Sequence, residues 1–363
     1  MFLKKLLLRN FRNYANAEVV FSPSVNLIQG ENGQGKTNLL EAIHFISTGR
    51  SFRTNSLSDL ILFGQSFFYL EAHFQKDGVS QSIKIYYDEN ARKIQYNDTV
   101  YPTLTSLLGI LPSVLLSPDD LSLVSGSPAE RRRFLDIHIA QTDPLYVNHL
   151  GRYFKAMKQR NYLLRSKTDT AIGAWEQMMA QSASYLVQKR KQAVAALSAP
   201  CSAWISTLSD SRDAMAIRYE SSFSSAGEIH AAEHFQKVWQ KMRPKELQVG
   251  STLSGPHRDD LCIYLADKPA KVFSSEGQKR SCISSLRFAQ WEEMERTCGH
   301  PPILGIDDFG IQLDRLRQGQ LKSHLPKFKQ VFLTSPLLIE NDFGQEIQPH
   351  LLTIKKGLII QSA

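Results

Sequence analysis

Eight residues near the start of the chain, Gly30-Glu31-Asn32-Gly33-Gln34-Gly35-Lys36-Thr37, constrain its fold more than any other stretch. They match G-x-x-x-x-G-K-[ST], a spacing with a physical cause. Glycines so placed let successive backbone N–H groups turn inward around an anion, and a helix opening at the loop's end aims its positive end at the same point. Both flanks fit. Residues 25–28 form an apolar strand, and Leu39, Leu40, Ile43 and Ile46 recur at helical spacing, which predicts a helix over 37–45. In such a loop the whole run from Gly30 to Thr37 cradles ATP. Lys36 reaches the β- and γ-phosphates, and the Thr37 hydroxyl ligates Mg2+.

A phosphate loop needs an acid for its metal. Ile303-Leu304-Gly305-Ile306-Asp307-Asp308 is an apolar strand ending in two carboxylates. Mg2+ is commonly held by one or two protein oxygens beside phosphate and water, so one acid at the strand tip suffices. Asp307 is the expected metal residue, acting through water. Asp308 is expected to orient or deprotonate an attacking water. A third element, Ser274-Ser275-Glu276-Gly277-Gln278-Lys279-Arg280, precedes a helical stretch through Ile283, Leu286, Arg287 and Gln290. Alone, Ser-x-Gly-Gln reads as a helix cap. Set between a phosphate loop and a strand ending in two acids, Ser275, Gly277 and Gln278 resemble the signature motif of ABC-type ATPases. That resemblance implies that Ser275 serves catalysis together with Lys36 and Asp308. It also implies that the motif faces the γ-phosphate held by a second protomer, so that ATP closes a homodimer.

At 363 residues the chain exceeds the length at which a single core usually stops growing, so two lobes are expected. Period-two alternation over 67–101 predicts an antiparallel subdomain. Helical signals dominate from 119 to 248. Ser127-Pro128-Ala129-Glu130 reads as a helix start, and Tyr146, Leu150, Tyr153, Met157 and Leu164 form the stripe of a helix packed on another helix. From about residue 253 an α/β pattern returns, with strands at 303–306 and 331–334. The expected architecture is therefore α/β. An ABC-type ATPase head, with a mixed sheet and an antiparallel β subdomain, spans 1–115 and 246–363, and a mainly helical arm lobe is inserted at 116–245.

A formal charge of +8 suits a polyanionic partner. Residues 151–193 carry nine Lys and Arg against Asp169 and Glu176, an excess of +7 (nine minus two) that nearly equals that of the whole chain. Trp175 and Tyr185 among them either stack on bases or pack a core. Cys201, Cys262, Cys282 and Cys298 form no C-x-x-C pair, so neither a zinc knuckle nor a disulfide framework is suggested. Leu6-Leu7-Leu8 ends at Arg9, too short for a signal peptide, and no stretch approaches ~18 apolar residues. No membrane contact and a reducing, cytoplasmic setting are expected.

Longer strings resemble the RecF family of recombination and gap-repair ATPases, over essentially the whole chain. They are Leu8-Arg9-Asn10-Phe11-Arg12-Asn13-Tyr14, the loop and helix from Gly33 to Ile43, Gly49-Arg50-Ser51-Phe52-Arg53-Thr54, Ser117-Pro118-Asp119-Asp120-Leu121, Glu130-Arg131-Arg132-Arg133-Phe134-Leu135-Asp136 and Gly255-Pro256-His257-Arg258-Asp259-Asp260-Leu261. The resemblance implies ATP-dependent dimerisation, binding to duplex, gapped or junction DNA with little sequence preference, and weak, DNA-stimulated ATP hydrolysis. It further implies cooperation with RecO and RecR in loading recombinase, within DNA repair, replication and the SOS response.

Three positions depart from the family or from its wider class. Ile311-Gln312-Leu313-Asp314 stands where the family reads Ser-Glu-Leu-Asp, which removes a charge from the loop expected at the dimer interface. Thr334-Ser335 stands where transporter-type ATPases carry a His, so slow hydrolysis is expected. Gly305 is expected to loosen a packing position in the acid-bearing strand. Two functional readings follow: a DNA-repair ATPase whose ATP-closed dimer clamps DNA, or a DNA-binding scaffold in which ATP is a structural ligand with little turnover. Arg131-Arg132-Arg133 either clamp DNA phosphates or pair with Asp136. Arg50 and Arg53 either serve ATP or DNA or form surface salt bridges. His257-Arg258-Asp259-Asp260 looks like a catalytic cluster but lacks ligand-spaced partners for a metal.

Overall fold

The strand that feeds the phosphate loop lies inside a six-stranded, mostly parallel sheet. A computed structural model describes residues 1–168, 170–221, 231–309, 315–336 and 347–361. The chain divides into two compact units, Met1–Leu121 with Pro200–Ala214 and Ser274–Ala363, and Ser122–Ala199 with Met215–Phe273.

In the first unit, β1 (Phe2–Phe11), β2 (Tyr14–Val20), β4 (Phe67–Lys76), β5 (Val79–Asp88), β6 (Arg92–Tyr96) and β7 (Thr99–Tyr101) form an antiparallel sheet in the order β2-β1-β4-β5-β6-β7. Its alternation is the period-two pattern of the sequence: Phe68, Leu70, Ala72 and Phe74 are buried while their neighbours on β4 are half-exposed. The second sheet joins β3 (Val25–Gln29), β8 (Ser113–Leu116), β12 (Ile303–Ile306), β13 (Val331–Ser335), β14 (His350–Lys355) and β15 (Leu358–Gln361), in the order β15-β14-β3-β13-β12-β8. All its pairs are parallel except the β14–β15 hairpin. β3, β8, β12 and β13 are buried throughout, which explains their continuous apolar runs. The helix α1 (Lys36–Thr48) contributes Leu39, Leu40, Ile43 and Ile46 to one hydrophobic cluster shared with inner residues of both sheets, such as Leu70 and Phe332. Gly305 does not loosen β12. A Cβ there would lie 2.8 Å from Leu40 Cδ1, so the missing side chain is the space that α1 packs into. The unit also contains α8 (Glu276–Cys298) and α9 (Arg315–His324), α8 packing through Phe288 and Trp291 around Phe328.

The second unit is built on α3 (Pro128–Thr142), α4 (Pro144–Arg165), α6 (Ala231–Val249) and the part of α5 (Ile172–Ser209) that precedes Pro200. Short helices α2 (Leu121–Ser125) and α7 (Ala270–Phe273) border it. Asp143 caps α4 by accepting from the Leu145 N–H, with Pro144 at the first helical position. Residues 215–220, read as part of a helical stretch, instead form β9 (Met215–Glu220). It pairs with β10 (Asp260–Leu265), which pairs with β11 (Lys268–Pro269). That pairing gathers residues 246–273 into this unit, whereas the sequence reading grouped them with the head. Among the described residues no helix is long and apolar enough to cross a membrane.

Ionic groups lock the second unit. Arg160 is fully buried and donates to Glu176 Oε1 (2.9 Å), Glu246 Oε2 (2.6 Å) and Thr252 Oγ1 (2.9 Å), which joins α4, α5 and α6. Arg190 donates to Asp136 and to the Pro256 carbonyl. Arg131 makes a bidentate pair with Asp260, not with Asp136, and Arg132 donates to the Asp259 carbonyl. Asp259 also accepts from the Tyr219 hydroxyl at 2.5 Å. The cluster that looked catalytic therefore fastens β10 to α3. Trp175 and Tyr185 pack against the core of this unit, and the Tyr185 hydroxyl donates to Asp143.

His257 completes the lock. Its Nε2 donates to the Thr252 carbonyl (3.1 Å) and its Nδ1 accepts from the Tyr153 hydroxyl (2.6 Å), an arrangement that requires the neutral ring. Burial, aided by Arg258 and Arg132, lowers its pKa from 6.5 to about 4 against the pull of the Thr252 carbonyl. The stability held by the neutral ring is thus fully present above about pH 6.5 and is lost as pH falls through about 4. Its ceiling is on the order of 3 kcal/mol. Denaturant unfolding between pH 7 and pH 4 is expected to show a steeper loss in wild type than in His257→Gln, which does not titrate there. Parallel pH curves would contradict the assignment.

Candidate nucleotide site

The loop from Gly30 to Gly35 leaves the end of β3 and opens α1 at Lys36. Two of its glycines are needed for space as well as for backbone angle. Gly30 (φ 153°) could carry a Cβ only 2.4 Å from the Ile354 carbonyl oxygen, and Gly35 (φ 122°) only 2.6 Å from Asn13 Nδ2. The carbonyls near the loop's end are pinned from outside. Gln34 O accepts from Asn13 Nδ2 (2.8 Å) and from the Gly357 N–H (3.1 Å), and Gly35 O accepts from the Tyr14 hydroxyl (2.9 Å). In a trans peptide the carbonyl and the following N–H point in opposite directions. Fixing these two carbonyls therefore turns the N–H groups of Gly35 and Lys36 toward the open end of α1, where an anion is favoured. Gln34 Oε1 also accepts from the Lys356 N–H at 2.6 Å.

Lys36 is buried, and its ammonium donates to the carbonyls of Gly30 (2.7 Å) and Glu31 (2.9 Å). Burial lowers its pKa, countered by the nearby carboxylates of Asp308 and Asp307. The Thr37 hydroxyl donates to Asp307 Oδ1 at 3.0 Å. Thr334 ties the acids together: its hydroxyl donates to the same Oδ1 (2.7 Å) and accepts from the Asp308 N–H (2.8 Å). Burial raises the Asp307 pKa, opposed by the Thr334 hydrogen bond, reinforced by Asp308 and opposed again by Thr37 and Arg53. A hydroxyl and a carboxylate oxygen in contact at a buried strand tip are the ligand types a small hard cation takes, so the residues present fit Mg2+.

A second set of side chains holds α1 from behind. The carboxylate of Glu41 is fully buried. It accepts two bonds from Arg12 (2.8 and 2.7 Å) and one from Ser51 (2.5 Å). Arg53 donates to Asn38 Oδ1 (2.8 Å), whose amide donates to Asn13 Oδ1 (2.8 Å).

Ser275 caps α8. Its hydroxyl accepts from the Gln278 N–H (3.3 Å), its own N–H donates to Gln278 Oε1 (3.0 Å), and Gln278 Nε2 donates to Asp213 (3.0 Å). The Gly277 carbonyl accepts from Ser281. The structure thus brings Lys36, Thr37, Asp307 and Asp308 together within one chain, and it builds Ser275, Gly277 and Gln278 as a separate helix start. Glu31, Asn32 and Gly33 form the tip of the loop. Gln312 lies outside the described residues. Sequence reasoning missed Asn13, Tyr14 and Thr334 as working parts of the site. Asn13 and Tyr14 lie in the segment Leu8–Tyr14 that resembles the family, but only their contacts reveal the role.

A family model described as RecF/RecN/SMC N terminal domain matches residues 2–338. The Smc head domain of Pyrococcus furiosus shares the fold, with a TM-score of 0.58 at 17% identity, over 100% of this chain and 96% of that one. Fold and site together define an ATPase head of the ABC and SMC class. The DNA replication and repair protein RecF of Protochlamydia amoebophila (strain UWE25) is 46% identical over 337 residues, 92% of this chain and 94% of that protein. RecF of Chlamydia abortus (strain DSM 27085 / S26/3) is 37% identical over 342 residues, 93% and 92% of the two chains. A solved structure of the recombination mediator protein RecF-ATP in the RecFOR pathway superposes with a TM-score of 0.91 at 29% identity, over 100% and 98%. The chain belongs to the RecF family.

Because burial holds the Asp307 carboxyl above its ordinary pKa, the ionised form at neutral pH is a cost to the folded chain when no cation faces it. The linked stability is present below the unfolded pKa and is lost as pH rises through the folded one. Without nucleotide, Asp307→Asn, which keeps the acceptor oxygen, is expected to melt roughly 1–3 °C higher than wild type at pH 7.5. The gap should close toward pH 4. Thermal scans with and without ATP and Mg2+ check this, since the added pair should stabilise the wild type more than the variant. A variant that melts lower at neutral pH would contradict the burial account.

Proposed function

We propose that this chain is an ATP-dependent DNA-binding protein of recombinational repair and replication restart, which dimerises on ATP at gapped or junction DNA and hydrolyses ATP slowly. The observation that carries this reading is the contact between Thr37, after the phosphate loop, and Asp307, at the tip of β12, with Lys36 beside both acids. Family membership and the RecF-ATP structure support ATP as the ligand. The loop N–H groups would hold the β-phosphate, and Lys36 would exchange its bonds to the Gly30 and Glu31 carbonyls for the β- and γ-phosphate oxygens. Mg2+ held by Thr37 and, through water, by Asp307 would neutralise phosphate charge. Asp308 would orient the attacking water. Its backbone is fixed by Thr334, which points its side chain from a left-handed position (φ 51°).

Ser275, Gly277 and Gln278 are a pre-formed helix start whose hydroxyl and N–H groups suit the γ-phosphate of a second copy. ATP would then bridge two chains. Cooperation with RecO and RecR in loading recombinase follows by kinship with the RecFOR structure. A scaffold reading, with ATP as a structural ligand and little turnover, is favoured by Thr334. Its hydroxyl is spent on Asp307 and Asp308 at a position where faster ATPases of the class place a histidine.

Light-scattering mass with ATP and Mg2+ is expected to report a dimer for wild type and a monomer for Lys36→Arg, since a planar guanidinium misfits the loop. Ser275→Arg should bind ATP at near wild-type affinity yet remain monomeric. Dimers in Lys36→Arg would sink the phosphate-loop assignment, and dimers in Ser275→Arg would remove the role across the interface. Phosphate release followed on a gapped duplex separates the readings: slow, DNA-stimulated release supports the ATPase, and its absence supports the scaffold.

A further inference from the structure

The nine cations of residues 151–193 do not form one population. Arg160 and Arg190 are buried in ion pairs and Lys189 pairs with Asp143 at 2.8 Å, so three of the nine are structural. The others are exposed, and four of them, Arg152, Lys155, Lys158 and Arg165, stand on α4. The buried residues of α4, namely Tyr146, Tyr153, Ala156, Arg160 and Leu164, define the side turned to the core. At 100° per residue, Lys155, Lys158 and Arg165 fall on the opposite side, with the exposed Tyr162 between them and Arg152 at the margin. On α6, Lys237, Lys241 and Lys245 are likewise exposed. They recur every fourth residue, opposite the buried Phe235, Trp239 and Glu246.

Nothing of opposite sign offsets these cations along the helices themselves. The only acids of α4, α5 and α6 are Glu176, Glu233 and Glu246. Glu176 and Glu246 are buried against Arg160, and Arg243 adds a second bond to Glu176 (2.6 Å). That leaves Glu233 in the first turn of α6. An ordinary soluble surface interleaves both signs. A helix of this length with no acid, beside one whose outward charges are lysines, is a surface suited to one sign of partner.

We propose that the outward faces of α4 and α6 are a contact surface for the sugar-phosphate backbone of nucleic acid. The inference rests on the DNA-binding reading above and assigns it a place. From Arg152 to Arg165 the α4 stripe extends about 20 Å, with cations at 152, 155 and 158 and, two turns on, at 165. That suits a repeating row of phosphates better than the single carboxylates of a folded protein partner. Contacts from Lys and Arg to phosphates position the backbone and read no sequence. Tyr162, 63% exposed, offers its hydroxyl and ring to sugar and phosphate.

The test uses the full-length protein with ATP and Mg2+ and a fluorescein-labelled duplex of mixed sequence, with anisotropy read from 50 to 200 mM salt. The variants are Lys155→Gln/Lys158→Gln/Arg165→Gln on α4 and Lys237→Gln/Lys241→Gln/Lys245→Gln on α6. All six positions are exposed, so little effect on folding is expected, and ATP-driven dimerisation monitors each variant. Each phosphate contact removed should lower the slope of log affinity against log salt by about 0.9, so up to about 2.7 for a triple variant, with affinity at 100 mM salt falling about tenfold or more. Wild-type affinity and slope in both variants would overturn the surface while leaving DNA binding in place. A loss seen with poly-glutamate but not with duplex would overturn it in favour of an acidic protein. A wild type that dimerises on ATP yet binds no DNA would sink the DNA reading itself, and this surface with it.

Discussion

Parallel pairing of β3, β13 and β12 is the constraint on which the site depends. In that register Thr334 lies beside Ile28, and Leu333 beside Ile306, so the carboxyl ends of the three strands finish in line. Ligands of open α/β sheets bind beyond such ends because the following loops and helix N-termini converge there. Here the outer strands supply the glycine-rich loop and the Asp307-Asp308 pair, and the middle strand supplies the link. The Thr334 hydroxyl reaches Asp307 on one neighbour, while Asp307 accepts from Thr37 on the helix that follows the other. A shift of β13 by one residue would turn that hydroxyl to the opposite face of the sheet. The bareness of Gly305 belongs to the same arrangement, because α1 lies close enough to β12 for Leu40 to occupy the space.

Two remote stretches hold the loop itself. The turn between β1 and β2 gives Asn13, the first residue of β2 is Tyr14, and the tip of the C-terminal hairpin gives the N–H groups of Lys356 and Gly357. The start of β1 is stitched in turn to the residue before β13. Gln330 accepts from the Leu3 N–H (2.7 Å) and donates to the Leu3 carbonyl (2.8 Å). Closing such long loops costs chain entropy that grows only slowly with length, so the large separation is no obstacle. Its return is a set of loop peptides whose direction is fixed before any anion arrives, which lowers the reorganisation needed on binding.

What was legible in the sequence was local. The phosphate loop, the strand ending in Asp307-Asp308, the alternating subdomain and the start of α3 each declare themselves within a dozen residues. Ser275 is the helix cap that its spacing predicts, its hydroxyl accepting from the Gln278 N–H. Contacts between distant segments were not legible. Thr334 has no neighbour in sequence that hints at Asp307, and β9 is too short for its alternation to stand out from the helices on either side until β10 is placed beside it.

The arm shows most sharply why charge counting stops short. Its apolar stripe, Tyr146, Leu150, Tyr153, Met157 and Leu164, skips one turn, and the position that would fill the skip is Arg160. A cation in the apolar register of a helix is the one sign, visible beforehand, that it belongs to the interior. Its partners Glu176 and Glu246 lie on other helices and carry no such mark. Once buried, one guanidinium that donates to carboxylates on α5 and α6 does something a leucine does not. Its fixed fork accepts one relative placement of the three helices, whereas apolar contact tolerates sliding. Removing it would take the shared cation from two buried carboxylates, leaving Glu176 with Arg243 and Glu246 with the Leu253 N–H, a cost of up to about 3–5 kcal/mol. The same burial takes Glu176 and Glu246 off the surface, so the interaction that sets the register of the helices also leaves the outward charges of α4 and α6 positive apart from Glu233.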